Sequence, residues 1–423
     1  MDTKRLVFYA SHIKTLIWHY HYQSNVSKDS IDEFQNWLSC ATPSGFTLLP
    51  AVRTIEFTED DEYYGILYRF LCTPTLEELR FNANASAIEP ILKHLVRSCP
   101  AFRNLHLSSP SSGHYFPPPA YDDHVLAPVV TQNLVRFTSG DSLTLGAVIS
   151  FSKIPSLRHL SVTVAIEASQ AFPPVGGPFF HALETLKFSV HRLCGVTLAL
   201  VQAISSPILQ QFTLSVQANS RHRLNERLVT QHTVALGRAP YKDTLRSVIL
   251  FLKHTSASIP ADTITVPVIQ PLMSCRRLET LEVFADSAVL DLAACRFIAC
   301  AFSHLDAFAF SDNSPGDRRD QGVGMWASRP FEFARAAPLE GLVAITKACR
   351  RLRSLHLSVR IESSDQLVLD QAAVLPTVER GLILPRYEDN DLVLQHLVDT
   401  YLGELLPRWP RPSQVTSIIP RAY

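Results

Sequence analysis

Leu76-Glu77-Glu78-Leu79-Arg80-Phe81 is the cleanest copy of a six-residue phrase: an apolar residue, two variable ones, an apolar residue, one variable, an apolar residue. The phrase returns as Phe102-Leu105-Leu107, Leu157-Leu160-Val162, Leu183-Leu186-Phe188, Leu209-Phe212-Leu214, Leu278-Leu281-Val283 and Leu352-Leu355-Leu357. Looser copies are Ile13-Leu16-Trp18, Val52-Ile55-Phe57, Leu134-Phe137-Ser139, Leu245-Val248-Leu250 and Leu305-Phe308-Phe310. The short intervals between successive phrases run from 23 to 27 residues, and loop-rich insertions lengthen the others. Each phrase ends in alternation, as in Glu78-Leu79-Arg80-Phe81-Asn82. Period 2 predicts a strand with Leu79 and Phe81 on one side and Glu78, Arg80 and Asn82 on the other.

Between phrases the period changes. Ile88, Ile91, Leu92, Leu95 and Val96 form a stripe with the spacing of a helix, with Ser86 as the expected N-cap and Pro90 in the first turn. Similar stripes span Leu193 to Ile204 and Leu339 to Ala348. A cysteine stands three residues before three phrases, at Cys99, Cys275 and Cys349, where Ile154 stands before a fourth. A position shared by Cys and Ile is a small buried apolar one. None of these cysteines has a metal-type partner two residues away. Strand, turn and helix therefore alternate, and the expected class is α/β.

With 46% hydrophobic and 18% charged residues among 423, the chain has material for a large core. Its formal charge of +0 gives no electrostatic drive toward nucleic acid or an anionic membrane, so neither is expected as a partner. No run of 18 apolar residues appears, and Met1 to Trp18, broken by Lys4, Arg5, His12 and Lys14, does not read as a signal peptide. The expected location is cytoplasmic or nuclear. The acceptor patterns at Asn25 and Asn84 are read as incidental on that basis.

The phrase and its period resemble leucine-rich repeats. Cys99-Pro100-Ala101-Phe102 with Leu105 and Leu107 resembles the repeats of F-box proteins, and more narrowly the divergent F-box-like families of mushroom-forming fungi. Arg5 to Leu16 resembles the segment that follows the F-box in those proteins, and Asp389 to Trp409 also fits them. The resemblance implies substrate recognition in a ubiquitin-ligase assembly. It also implies a Skp-type adaptor as partner if an F-box lies upstream, since no Leu/Pro-rich F-box is read before Arg5.

The expected architecture is a leucine-rich-repeat solenoid of about twelve irregular repeats over residues 1–423. Residues 1–48 would form an N-terminal repeat or cap, and 49–362 the repeats, with insertions at 108–132, 165–179 and 312–338. Residues 363–423 would form a C-terminal helical cap. Parallel strands stack about 4.8 Å apart and helices about 10 Å apart. Helices on the outside would therefore curve the sheet, leaving strands on a concave face about 50 Å long, ample for a protein interface.

Signatures of catalysis are missing: no phosphate-binding glycine loop, nucleophile elbow, zinc-protease helix or calcium loop is present. His19 and His21, with Cys40 nearby, lack the further ligands of a metal site. Ser303, His304 and Asp306 are adjacent in sequence, which is not how a triad converges. Glu59-Asp60-Asp61-Glu62 reads as a solvated turn or the acidic start of a helix. No enzyme, cofactor or metal is expected.

What remains is recognition of a protein through the variable positions of the phrase, either as the F-box-like substrate receptor or as a free-standing scaffold or small-GTPase regulator. Arg80, His106, Arg136, His159 and Lys187 give a polar, mildly basic surface. Farther on, Ile249, Phe251 and Phe284 fall at positions expected to face solvent, beside Ala307 and Ala309. They are either a hot spot or, if the register slips by one residue, core.

Overall fold

In the computed structural model, the structure describes residues 8–18, 33, 36, 48–57, 71–82, 85–108, 121–130, 133–166, 179–218, 224–254, 263–285, 288–311, 336–361 and 380–387. The His19/His21 pair, Cys40, the acidic run 59–62, most of the three insertions and the stretch 389–409 lie outside the described residues. The chain forms two compact units, Met1–Ser189 with Ile204–Pro207, and Val190–Ala203 with Ile208–Tyr423.

The first unit carries β1 (Thr15–Trp18), β2 (Thr54–Phe57), β3 (Glu78–Asn82), β4 (Asn104–Ser108), β5 (Arg136–Thr144), β6 (His159–Ala165) and β7 (Thr185–Val190) up to Ser189. These strands lie in chain order in an open, parallel sheet. From β1 to β6 the pairings place phrase on phrase: Leu16 beside Ile55, Ile55 beside Leu79, Leu79 beside Leu105, Leu105 beside Phe137 and Phe137 beside Leu160. The apolar positions of β2, β3, β4 and β6 are buried, including Ile55, Leu79, Leu105 and Leu160. Full burial of such a side chain stabilises by about 1.5–3 kcal/mol, so each strand adds several increments to one continuous row. On β5, Phe137 stacks on Phe151 at 4.2 Å, which fixes helix α3 (Leu145–Phe151) against the apolar side of that strand.

Helix α1 (Ala85–Ser98) buries Ile88, Ile91, Leu92 and Leu95, as the stripe predicts. It begins at Ala85, one residue before the expected cap Ser86. Helix α2 (Asp123–Val130) precedes α3, whose N-cap Thr144 accepts from the Ala147 amide at 3.3 Å.

The second unit contains β8 (Gln211–Ala218), β9 (Ser247–His254), β10 (Thr280–Ala285), β11 (Ala307–Ser311), β12 (Ala337–Pro338), β13 (Ser354–Ile361) and β14 (Arg380–Tyr387). They too are parallel and run in chain order to β11. β11 and then the two-residue β12 pair with successive parts of β13, whose other edge takes β14. β14 falls where a helical cap was expected. Its copy of the phrase is hidden because Gly381 occupies the rung of Leu355.

Among the described residues, the helices of this unit are α4 (Gly195–Ala203), α5 (Glu226–Arg238), α6 (Leu292–Ala301) and α7 (Leu339–Ala348), with 3-10 turns at Val266–Val268 and Gln270–Ser274. Asn225 and Asp291 cap α5 and α6 through bonds of 2.8 and 2.7 Å. No helix among the described residues is long and apolar enough to cross a membrane.

Two backbone rules recur in both units. The leading apolar residue of a phrase donates to the carbonyl three residues earlier, as in Phe102 to Cys99 at 3.1 Å, Leu278 to Cys275 at 3.1 Å and Leu352 to Cys349 at 3.0 Å. These cysteines are free and buried, the structural role their alternation with Ile154 implied. A hydroxyl just before the phrase then reaches the previous one: Thr75 to Val52 O at 2.9 Å, Ser156 to Leu134 O at 2.9 Å and Thr244 to Leu209 O at 3.0 Å.

Candidate functional site

In the first unit the variable positions assemble into two rows on the sheet face opposite the apolar one. One row reads Thr54, Glu78, Asn104, Arg136, His159, and the other Glu56, Arg80, His106, Thr138, Ser161. Arg80, His106, Arg136 and His159 are thereby brought together on four neighbouring strands. Lys187 is exposed on β7 in the same unit.

Charge on this face is partly neutralised. Arg80 Nε donates to Glu78 Oε1 at 2.8 Å, and its Nη1 reaches Glu56 Oε2 at 3.4 Å. The bond to Glu78 raises the Arg80 pKa above its usual value, so this guanidinium stays charged. His106 Nε2 is buried without a hydrogen bond, 3.4 Å from Glu78 Oε1. Burial is the main cause that lowers the His106 pKa, and Arg80 and Arg136 add to it against Glu78 and Glu56. His159 is lowered first by burial, then by Arg136 and Arg158, with Glu184 opposing. Both imidazoles are therefore neutral at pH 7. Arg136 is exposed and has no acidic partner among the described residues.

Ion pairs also run along the second phrase position: Arg53 with Glu77 at 3.3 Å and Arg158 with Glu184 at 2.5 Å here, and Arg246 with Glu279 at 3.4 Å in the second unit. They are exposed pairs of small energetic weight.

In the second unit the register is as the phrases predict. Val248, Leu250, Leu252, Leu281 and Val283 are fully buried, and Ile249 and Phe251 fall on the opposite face, half-buried. No one-residue slip has occurred. Phe284 departs from the expectation of a solvent-facing residue, because it has no exposed surface. It stands between Phe251 of β9 and Ser311 of β11, and its ring lies flat on Phe251 at 5.1 Å and 12°. Ala309 is likewise fully buried, although it too alternates with core positions. The candidate hot spot therefore reduces to Ile249 and the outer face of Phe251.

Two residues of this face escaped the sequence reading. Glu282 and His356 occupy the fifth position of their phrases, the position that gave Arg80 and His106. Burial alone raises the Glu282 pKa and alone lowers that of His356. His356 Nδ1 is buried with no hydrogen bond. The phrase itself was the signal that could have found them.

Among the described buried polar groups elsewhere, Tyr241 Oη and Asp141 Oδ1 have no hydrogen-bond partner, whereas His232 is satisfied structurally. His232 meets Leu228 O at 2.7 Å and Thr197 Oγ1 at 2.9 Å, a link between α5 and α4. No protein-family profile and no curated protein matches the chain.

Proposed function

We propose that the chain is a leucine-rich-repeat solenoid that recognises another protein through the sheet face bearing the variable phrase positions. On this reading it acts as an F-box-like substrate receptor and catalyses nothing itself. The observation that carries the proposal is the double row on β2 to β6. Glu56, Glu78, Arg80, His106, Arg136 and His159 project from successive strands of a sheet whose other side is apolar core. A sheet needs one buried face. A second face lined with charged and imidazole side chains adds nothing to that core, and it offers directional contacts over several strands.

Arg136 is the residue expected to matter most, being a cation with no acidic partner among the described residues and of the residue type enriched in hot spots. The test is affinity capture of the full-length protein from its native cells, comparing wild type with Arg136→Glu and with the apolar-core control Leu105→Ala. A partner retained by wild type and lost with folded Arg136→Glu supports the reading. Co-purification of a Skp-type adaptor supports the ligase role. Identical partners in wild type and Arg136→Glu would refute recognition at this face.

A further inference from the structure

The variable face of the first unit is unevenly charged. On β2 and β3 it carries Arg53 and Arg80 against Glu56, Glu77 and Glu78, and each of these groups is in an ion pair. On β4 to β7 the second, third and fifth phrase positions carry Arg103, Arg136, Arg158 and Lys187 against Glu184 alone. Glu184 is taken by Arg158 at 2.5 Å. Arg103 stands beside Glu77, which Arg53 already holds at 3.3 Å. Arg103, Arg136 and Lys187 are therefore exposed cations with no acidic partner among the described residues.

The register gathers these cations into one patch. Arg103 O accepts from the Val135 and Arg136 amides, and Arg158 O in the same way from Glu184 and Thr185. Lys187 thus lies beside Ser161, one strand past His159, the cross-strand neighbour of Arg136. Four strands about 4.8 Å apart make the patch about 15 Å wide. Among the cations stand Asn104, His159 and Ser161, half-buried and able to donate hydrogen bonds. The positive potential reaches the neighbouring rings: after burial, the largest cause, Arg136 helps to lower the pKa of both His106 and His159.

We propose that the β4–β7 patch receives an acidic segment of the protein ligand, a short run of aspartate and glutamate side chains. This rests on the reading of the variable face as a recognition surface, and it names the ligand chemistry that the first unit takes. Arg136, at the centre, grips a carboxylate with its planar fork, and Asn104 and His159 flank it as donors. Arg103 and Lys187 hold carboxylates to either side. The charge pattern favours a peptide over a nucleic-acid strand. A strand crossing the sheet would carry its phosphates on to Glu56 and Glu78, whereas a peptide changes its charge from residue to residue.

The test uses the full-length protein and a defined probe, acetyl-Asp-Glu-Asp-Glu-Asp-Glu-amide. Its uncharged counterpart is acetyl-Asn-Gln-Asn-Gln-Asn-Gln-amide, and oligothymidylate is the polyphosphate comparison. Calorimetric titration at pH 7 and low salt is expected to show the acidic peptide binding with a Kd of about 0.1–1 mM, weakening as salt is raised. The uncharged peptide should bind at least tenfold more weakly, as should the acidic peptide to Arg136→Glu. Lys187→Glu, away from the centre, should weaken binding about threefold to fivefold, the worth of one exposed ion pair. Lys153→Glu, beyond the end of α3, changes the net charge equally and should alter the affinity less than twofold. Equal binding of the two peptides, equal affinity of wild type and Arg136→Glu, or an equal loss in Lys153→Glu overturns the assignment. So does tighter binding of oligothymidylate than of the acidic peptide, or no binding at millimolar probe. If a native partner is still captured in an Arg136-dependent way while the acidic peptide fails, the ligand chemistry is wrong and the recognition face stands.

Discussion

Glu282→Gln should stabilise the unliganded protein, and by an amount that depends on pH. The side chain sits on strand β10 between Ile249 and Ala309, with no partner for its charge among the described residues. Gln is as polar as Glu but cannot ionise, so the gain equals the penalty on the ionised carboxylate, about 1.4 kcal/mol for every tenfold rise in the proton affinity of the folded carboxyl. For a cooperative unit of this size, 1 kcal/mol moves the melting temperature by about 2–4 °C, so the gain should be of the order of a few °C at neutral pH.

The sign of the pH dependence follows from the raised folded-state pKa. Below the unfolded carboxyl pKa of about 4.3 both states are protonated, and wild type and Gln should be nearly equal. As pH rises, the unfolded chain releases its proton first and the folded wild type loses stability, until ionisation is complete above the raised folded pKa. The amide cannot ionise and is spared. Differential scanning calorimetry of both proteins from pH 4 to pH 8 should show a melting-temperature difference that opens over this interval and then levels off. A constant difference would show that ionisation is not responsible. A loss at pH 7 would mean that the carboxylate is stabilised by a partner and would refute the reasoning.

Other expectations concern stability. Gly237, near the end of α5, lies against the 3-10 turn: an added Cβ would meet Pro271 O at 2.2 Å and Ser274 Oγ at 2.9 Å. Gly237→Ala gains about 1 kcal/mol of helix propensity. It also forces that turn away and strains the 2.6 Å bond from Ser274 to Gly237 O, so denaturant unfolding should register a net loss of about 1–3 kcal/mol. Gly195→Ala, with nothing within 4 Å of the new methyl, is the unstrained comparison and should not destabilise. His106, His159, His232 and His356 all have lowered pKa values, chiefly through burial. The unfolded state therefore takes protons first as pH falls through about 6.5, and the urea midpoint should decline from pH 7.5 to pH 5.5. A midpoint that rises over that interval would contradict the burial of these rings.

What the sequence makes legible here is whatever a single strand decides for itself. Leu79, Leu105 and Leu160 announce their burial because alternation is local, and the helical stripe at Ile88 to Leu95 does so for the same reason. The hydroxyl links from Thr75, Ser156 and Thr244 are decided between strands and escape notice, since each needs a carbonyl more than twenty residues away. β14 escapes for a different reason: Gly381 erases the apolar mark at the position where Leu355 carries it. The variable face shows the same division. Arg80 and His106 are readable as outward-facing one strand at a time, but whether such a residue is neutralised depends on its neighbours across the sheet. Glu56 and Glu78 neutralise Arg80. Ile249 and Thr280, standing at the equivalent places beside Glu282, cannot do the same. The same phrase position thus gives an ion-pair network in one unit and, among the described residues, an unpaired carboxyl in the other. Whether a side chain on such a surface is paired depends on the contrast between adjacent strands, which the register supplies and no single phrase contains.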